Sequence, residues 1–484
     1  MTSNFTSTLI GNIYSKIIKK SICSCLILYF ILSLQVTSAF SQVPRRNPAP
    51  YENNNTAWVY PPWKHSWIVV AGQSHLSLLT LGKAKFINPQ GLDAVKLIAN
   101  DDPKREADDD ELTVYGVNNG ENSIIYNKSM TSIGLYGYDE TGIEALNDPW
   151  DLAATPGGLV FISDSGNRRI VKLRNIKGKL KYSGSFGQNE NKLVLPRGID
   201  VTDKGWVIIA DAGNGSVARY DTLGNFIDAV DGFDRPVGLA AVDRSEKNSL
   251  PRDEYFIVVD SGGTRINKMK FDGSVINRID VSEATGISNV YIGHVDIEHY
   301  HCIIATDSIN HCIHKFDPKL NYLGRWGREG DGRASFRSPT GIAIWRHFGQ
   351  TFISDSHGAQ YLWLGTDIVE EPVLETFKDG SGLILEINLT SDSKIEMLIK
   401  DENKKVLKNC KRICKSGSNK IRWNWHKFRR IDEKFNLLNR SKSRDSNLPP
   451  GKYSLVLKIR ARYSSTEKFE KVLETEFEVI SGDK

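Results

Sequence analysis

The sequence predicts an all-β chain in which a six-bladed β-propeller is followed by a β-sandwich. Three observations carry that reading. A hairpin recurs with a period in the forties, a proline–glycine signature precedes the copies, and the pattern changes after Leu364. The hairpin is clearest at Val160 to Leu173, VFISDSGNRRIVKL. A β-branched and aromatic run leads into Asp164, Ser165, Gly166 and Asn167, and a second alternating run begins at Ile170. An aspartate there can accept hydrogen bonds from turn amides, while Gly and Asn tolerate the positive φ of a tight reversal.

The pattern returns at Val207 to Tyr220, Phe256 to Met269, Ile303 to Phe316 and Thr351 to Leu364. The turn acids Asp164, Asp211, Asp260, Asp307 and Asp355 lie 47, 49, 47 and 48 residues apart. A degenerate copy with Asn118 in the acid's place stands 46 residues before Asp164. The signature ahead of the hairpins reads Pro89-Gln90-Gly91-Leu92, Pro149-Trp150-Asp151-Leu152, Pro196-Arg197-Gly198-Ile199, Pro236-Val237-Gly238-Leu239 and Pro339-Thr340-Gly341-Ile342. The copy near Val290 lacks the proline and puts His294 at the glycine position. Such a period, with about four short strands per unit, predicts blades packed around a ring, because one blade cannot bury both of its faces. Six units fit from near Asn88 to Leu364, and the strand at Trp67 to Ala71 is placed to complete the last one.

These motifs resemble the NHL-repeat family, whose six-bladed propellers carry the D-x-G-N-x-R-I turn found here at Asp164 to Ile170. The resemblance implies a fold, and this fold hosts many functions.

Ahead of the repeats, a polar stretch ending in Lys16, Lys19 and Lys20 is followed by apolar Ile22 to Leu34 and small residues at Thr37, Ser38 and Ala39. That order predicts a secretory signal peptide over residues 1–41, too short in its apolar part to span a bilayer. Residues 42–66 read as a flexible leader and 67–372 as the propeller, with the charged stretch Asn100 to Glu111 as a solvated loop. Residues 373–484 alternate apolar and charged residues at sandwich spacing. Within them, Gly417 to Trp425 and the Leu448-Pro449-Pro450-Gly451-Lys452-Tyr453 strand start resemble the Ig-like domain of the flagellar hook-capping protein family. The chain departs from that family in carrying Trp425-His426-Lys427 and a longer connection, residues 428–447. That resemblance implies no catalysis.

Net charge is +3 over residues 1–41, −7 over 42–372 and +9 over 373–484. A basic sandwich on an acidic propeller fits anionic polymers such as envelope glycans, or simply solvated strand faces. Export argues against nucleic acid as a partner. Cys302, Cys312, Cys410 and Cys414 make no disulfide framework and no zinc-ligand spacing. A Cys410–Cys414 bridge and free thiols both stay open.

Propeller sites sit where the innermost strands begin, which selects Gln90, Trp150, Asp151, Arg197, Val237, His294 and Thr340, then Asp93 and Asp200. The propeller resembles that of peptidyl-amidoglycolate lyase, which holds zinc on three histidines placed after the leading prolines. Gln90, Trp150, Arg197, Val237 and Thr340 stand at those positions here, so this activity is not expected. His294 alone supplies too few ligands for a catalytic zinc. The other histidines and the turn acids read as structural. No nucleophile elbow, P-loop or HExxH motif is present.

The function expected is a non-enzymatic binding or scaffolding protein. It is exported to the periplasm, cell surface or medium, and recognises a protein, peptide or glycan with Gln90, Trp150, Asp151, Arg197, His294 and Thr340. No cofactor is expected. The alternative is a calcium-dependent lactonase or esterase, or a lyase, using Asp93, Asp151, Asp200 and Asp296, and calcium is the one ion left open.

Overall fold

The computed structural model describes residues 56–61, 69–101, 112–129, 132–189, 191–425, 447–462 and 469–480. The signal-peptide reading, most of the charged loop at 100–111 and most of the 428–447 connection fall outside them. Among the described residues, no helix is long and apolar enough to cross a membrane.

Six sheets follow one another along the chain. The second shows the plan, with strands Pro149–Ala154, Leu159–Asp164, Arg169–Ile176 and Lys179–Phe186 pairing antiparallel in sequence order. The first strand of each sheet is innermost: Pro89–Lys96, Pro149–Ala154, Pro196–Val201, Gly238–Val242, Ile292–Ile297 and Ile342–Trp345. Each of these strands touches the next, and the sixth touches the first, so the sheets close into a ring around a channel. This is the propeller that the repeat period implies.

The turn acid proves to be a staple. Asp164 accepts from the amide of Asn147, Asp211 from Val194 and Leu195, Asp260 from Asp234, Asp307 from Tyr291, and Asp355 from Arg337. Each donor lies in the loop that leads into the innermost strand of the same sheet. Asn118 does the same for Ile87. One buried side chain thus ties the tip of the hairpin to the start of the blade.

Glycines of the leading signature stand where adjacent inner strands nearly touch. A Cβ on Gly198 would lie 2.7 Å from the Leu239 nitrogen, and one on Gly238 would lie 2.7 Å from the Gly293 oxygen. The second and fifth sheets break the rule with Asp151 and His294.

The ring is shut by the N-terminal side of the chain. Both Val70–Gly72 and Trp58–Val59 pair antiparallel with Gly358–Leu364 in the sixth sheet. Of the closing strand expected at Trp67 to Ala71, residues 67 and 68 lie outside the described residues, and the described strand runs Val70–Gly72. A second closing strand comes from the stretch read as leader, because Trp58 and Tyr60 have an apolar home against Trp326.

Beyond the ring, Val373–Thr376, Gly382–Leu389 and Gly417–Asn424 form one sheet. Ser393–Lys400, Val406–Cys414, Gly451–Ala461 and Lys471–Val479 form another. The apolar positions of both build a single core around Trp423 and Trp425. Trp425 donates its indole N–H to the Gly380 carbonyl at 2.6 Å. This sandwich meets the fifth sheet through Lys315 Nζ and Ser391 Oγ, 2.5 Å apart, and through Tyr300, which Lys415 and Arg462 face. Among the described residues, Cys302, Cys312, Cys410 and Cys414 are free and buried. Cys410 and Cys414 share one extended strand, which holds residues four apart at about 13 Å and beyond the reach of a disulfide.

Candidate functional site

The channel is the site the fold offers, and its two ends differ. At the end nearest the hairpin tips, Trp150 stacks on His294 with ring centroids 6.2 Å apart and planes inclined by 17°. Arg197 lies over the other part of the stack, its guanidinium carbon 4.0 Å from the Trp150 centroid, and reaches Asp148 at 3.3 Å. Cation–π contacts of this kind strengthen as water is excluded. Trp150 Nε1 and both ring nitrogens of His294 are buried without a partner at full hydrogen-bond geometry, the backbone of Trp150 and Thr340 being what the imidazole faces.

Gln90 and Thr340 stand at this end but face a different task. The Gln90 side chain donates to Asn88 in its own loop, while the Gln90 carbonyl accepts from the Ser354 hydroxyl and the Thr340 hydroxyl donates to the Pro89 carbonyl, fastening the sixth sheet to the first. Val237 is buried in the core between the fourth and fifth sheets. Of the residues selected from the sequence, the structure therefore gathers Trp150, Arg197, Asp151 and His294, and assigns Gln90 and Thr340 to the seam.

One layer deeper, Asp151 and His294 meet across the channel, with Oδ1 and Nε2 3.8 Å apart. The Asp151 carboxyl occupies the space left by Gly91, where a Cβ would fall 1.7 Å from Oδ1. Burial pushes Asp151 well above the usual carboxylate range, outweighing the amides of Ile199 and Leu152 that it accepts from. Burial also drives His294 down to about 4. Burial thus disfavours the charged form of both partners.

The far end opens into a cavity of about 660 Å³ lined by Asp93, Asp151, Asp200, Glu246, Asp296 and Arg346, with His294 at its depth. Three of the acids follow one rule. Asp93, Asp200 and Asp296 each accept from the next amide on their own strand, and from Ala154, Ala241 and Ile344 on the neighbouring sheet. They belong to the first, third and fifth sheets. The even sheets carry Ala153, Ala240 and Ala343 at the same register. Burial raises Asp93 and Asp296 to about 6 and Asp200 to about 7.

Arg346, at the end of the sixth inner strand, is the counterweight. It bonds Glu246 at 2.5 Å, Asp296 at 3.4 Å and the Ile297 carbonyl at 2.7 Å. Glu246 and Arg346 carried no signal in the sequence. The Asp/Ala alternation did, in the fourth residue after each leading position.

Among known proteins, the family model described as NHL repeat matches residues 146–173. No curated protein matches the chain. Similar solved structures include a streptogramin B lyase, 15% identical, with 52% of this chain and 76% of that one aligned at a TM-score of 0.38. Another is the Xanthomonas campestris gluconolactonase, 13% identical over 57% of this chain and 86% of that one, TM-score 0.41. A third is the Staphylococcus aureus virginiamycin B lyase, 14% identical over 53% and 78%, TM-score 0.38. These likenesses concern fold, and no activity is carried across from them.

Proposed function

We propose that the chain is an exported, non-enzymatic binding or scaffolding protein of the cell envelope, built on an NHL-type propeller. It recognises a protein, peptide or glycan at the hairpin end of its channel. The observation that carries this reading is the Arg197–Trp150–His294 stack, with three buried nitrogens left without a partner at full hydrogen-bond geometry. Buried polar atoms are nearly always satisfied, so an orphaned set at a channel mouth calls for a ligand or water. Trp and Arg are also the residue types that most often dominate interface energetics. The Ig-like reading of the sandwich makes it a spacer or a second contact, its basic surface suited to anionic polymers.

The test is binding of the mature chain to envelope glycan and peptide arrays, beside a Trp150→Ala/Arg197→Ala double variant with an unchanged melting curve. Loss of a specific signal in the variant supports the placement, whereas undiminished binding removes it.

The metal-dependent hydrolase or lyase is the second reading, favoured by the convergence of Asp93, Asp151, Asp200 and Asp296 on one cavity. Against it, all four carboxyls already accept two amides each, and Arg346 supplies positive charge where a calcium ion would stand. Stoichiometric calcium binding that Asp200→Asn abolishes would put the enzyme reading first.

A further inference from the structure

The fifth sheet contains a cluster that its sisters lack. At the register where the turn acid faces the next strand, Asp164 meets Arg169, Asp211 meets Ser216 and Asp260 meets Arg265. In the second sheet the arginine answers the acid directly, Nε to Oδ2 at 2.6 Å. In the fifth, Asp307 meets Cys312 instead, and His314 follows on the same side of the strand. Thiol, imidazole and carboxylate are all buried, and one ligand atom from each lies within 4.8 Å of the others.

The distances within the cluster are specific. His314 Nε2 is 3.1 Å from Asp307 Oδ2 and 3.7 Å from Cys312 Sγ. A ring nitrogen has one hydrogen or one lone pair, so Nε2 can serve only one of these neighbours fully. Zinc bonds of about 2.0–2.3 Å in a tetrahedron place ligand atoms about 3.3–3.8 Å apart, close to both separations. Thiolate sulfur, imidazole nitrogen and carboxylate oxygen are each donors that zinc takes. The outer contacts fit as well. Tyr322 OH stands 3.5 Å from His314 Nδ1, and Asn310 donates to Asp307 Oδ2 at 2.7 Å, so both ligands are oriented by neighbours.

We propose that Asp307, Cys312 and His314 form a zinc site inside the fifth sheet, a structural centre separate from the channel. Binding replaces the thiol proton of Cys312 with the metal and releases that proton to solvent. The neutral imidazole coordinates through Nε2. The centre pins the hairpin tip to the second and third strands of its sheet, the role that Arg169 plays in the second sheet.

The experiment is zinc analysis of the mature full-length chain, produced with zinc in the medium and passed through a desalting column. The expected result is one zinc per chain, lost in Cys312→Ser and in His314→Ala and retained in Cys302→Ser, a control at another buried thiol. Tyr322→Phe should weaken zinc about tenfold by freeing the imidazole. Zinc no higher than the buffer blank in the unaltered chain, or zinc unchanged in Cys312→Ser, overturns the proposal. Should the variants fail to fold, cobalt loading of the unaltered chain decides. A thiolate-to-cobalt charge-transfer band supports the site, and cobalt bound without that band rejects it.

Discussion

At the far end of the channel, Asp200, Glu246 and Asp296 gather around the guanidinium of Arg346. In the layer between the two ends, Asp151 and His294 face each other with no cation bonded to the carboxyl, and burial disfavours the charged form of each. The same ring of inner strands thus houses two answers to buried polarity. Compensation by an opposite charge fixes a geometry, because removing one partner strands the others. Asp151 and His294 have no opposite charge bonded to them, and the carboxyl is held instead by the amides of Leu152 and Ile199. The far end is therefore held by ion pairs, and under the proposed function the hairpin end, where Arg197 stacks on Trp150, is the receptive one.

The largest test of this contrast is Arg346→Met. It strands three buried carboxyls and should cost about 3–5 kcal/mol at pH 7 in urea unfolding, and less at pH 5, where the acids take up protons. An equal loss at both pH values would mean that Arg346 acts by packing alone. Next comes Gly91→Ala, whose methyl would collide with the Asp151 carboxyl and should cost about 1–3 kcal/mol as an overpacked core does. Pairing it with Asp151→Gly should recover most of that loss, and no recovery would mean that the carboxyl does not fill the space.

The pH dependence of stability should carry opposite signs for the channel acids and for His294. Asp93, Asp200 and Asp296 have folded pKa values raised to about 6, 7 and 6 above the usual 3.8. Their contribution is complete below about pH 4 and is lost as pH rises through 6 to 7. His294 is depressed to about 4 from 6.5, so its contribution is present above about pH 6.5 and is lost as pH falls towards 4. Melting curves of Asp200→Asn should therefore decline less between pH 4 and 7 than those of the unaltered chain. His294→Gln should decline less on acidification. The smallest effect is spectroscopic: the His294 ring proton should titrate near pH 4 by NMR, and a midpoint near 6.5 would place the ring in water.

Much of the ring was legible because its devices are local. An aspartate, a hairpin and a leading proline sit within one repeat, and each repeat restates them, so Asp211 and its amide partners Val194 and Leu195 lie less than one period apart. The site was legible only in part. Trp150, Asp151, Arg197 and His294 could be selected because they stand where the innermost strands begin, the second and the last in place of the signature glycine. Arg346 could not, since its partners Glu246 and Asp296 are brought to it only by closure of the ring. Gln90 and Thr340 occupy the same register as Trp150 and Arg197, yet serve the seam where the two ends of the ring meet. Alternation along a strand states which way a side chain points and leaves open what waits there.

That seam has a consequence for biogenesis. The clasp pairs Trp58 with Leu364, residues separated by nearly the whole propeller. A ribosome releasing this chain in order would deliver five finished sheets before the partner of the first closing strand existed. Until then the earliest strands wait unpaired, with open backbone edges inviting the wrong neighbour. Contacts so distant in sequence also slow folding. Production of this protein should be governed less by the stability of its blades than by how its early strands are kept apart until the last hairpin arrives.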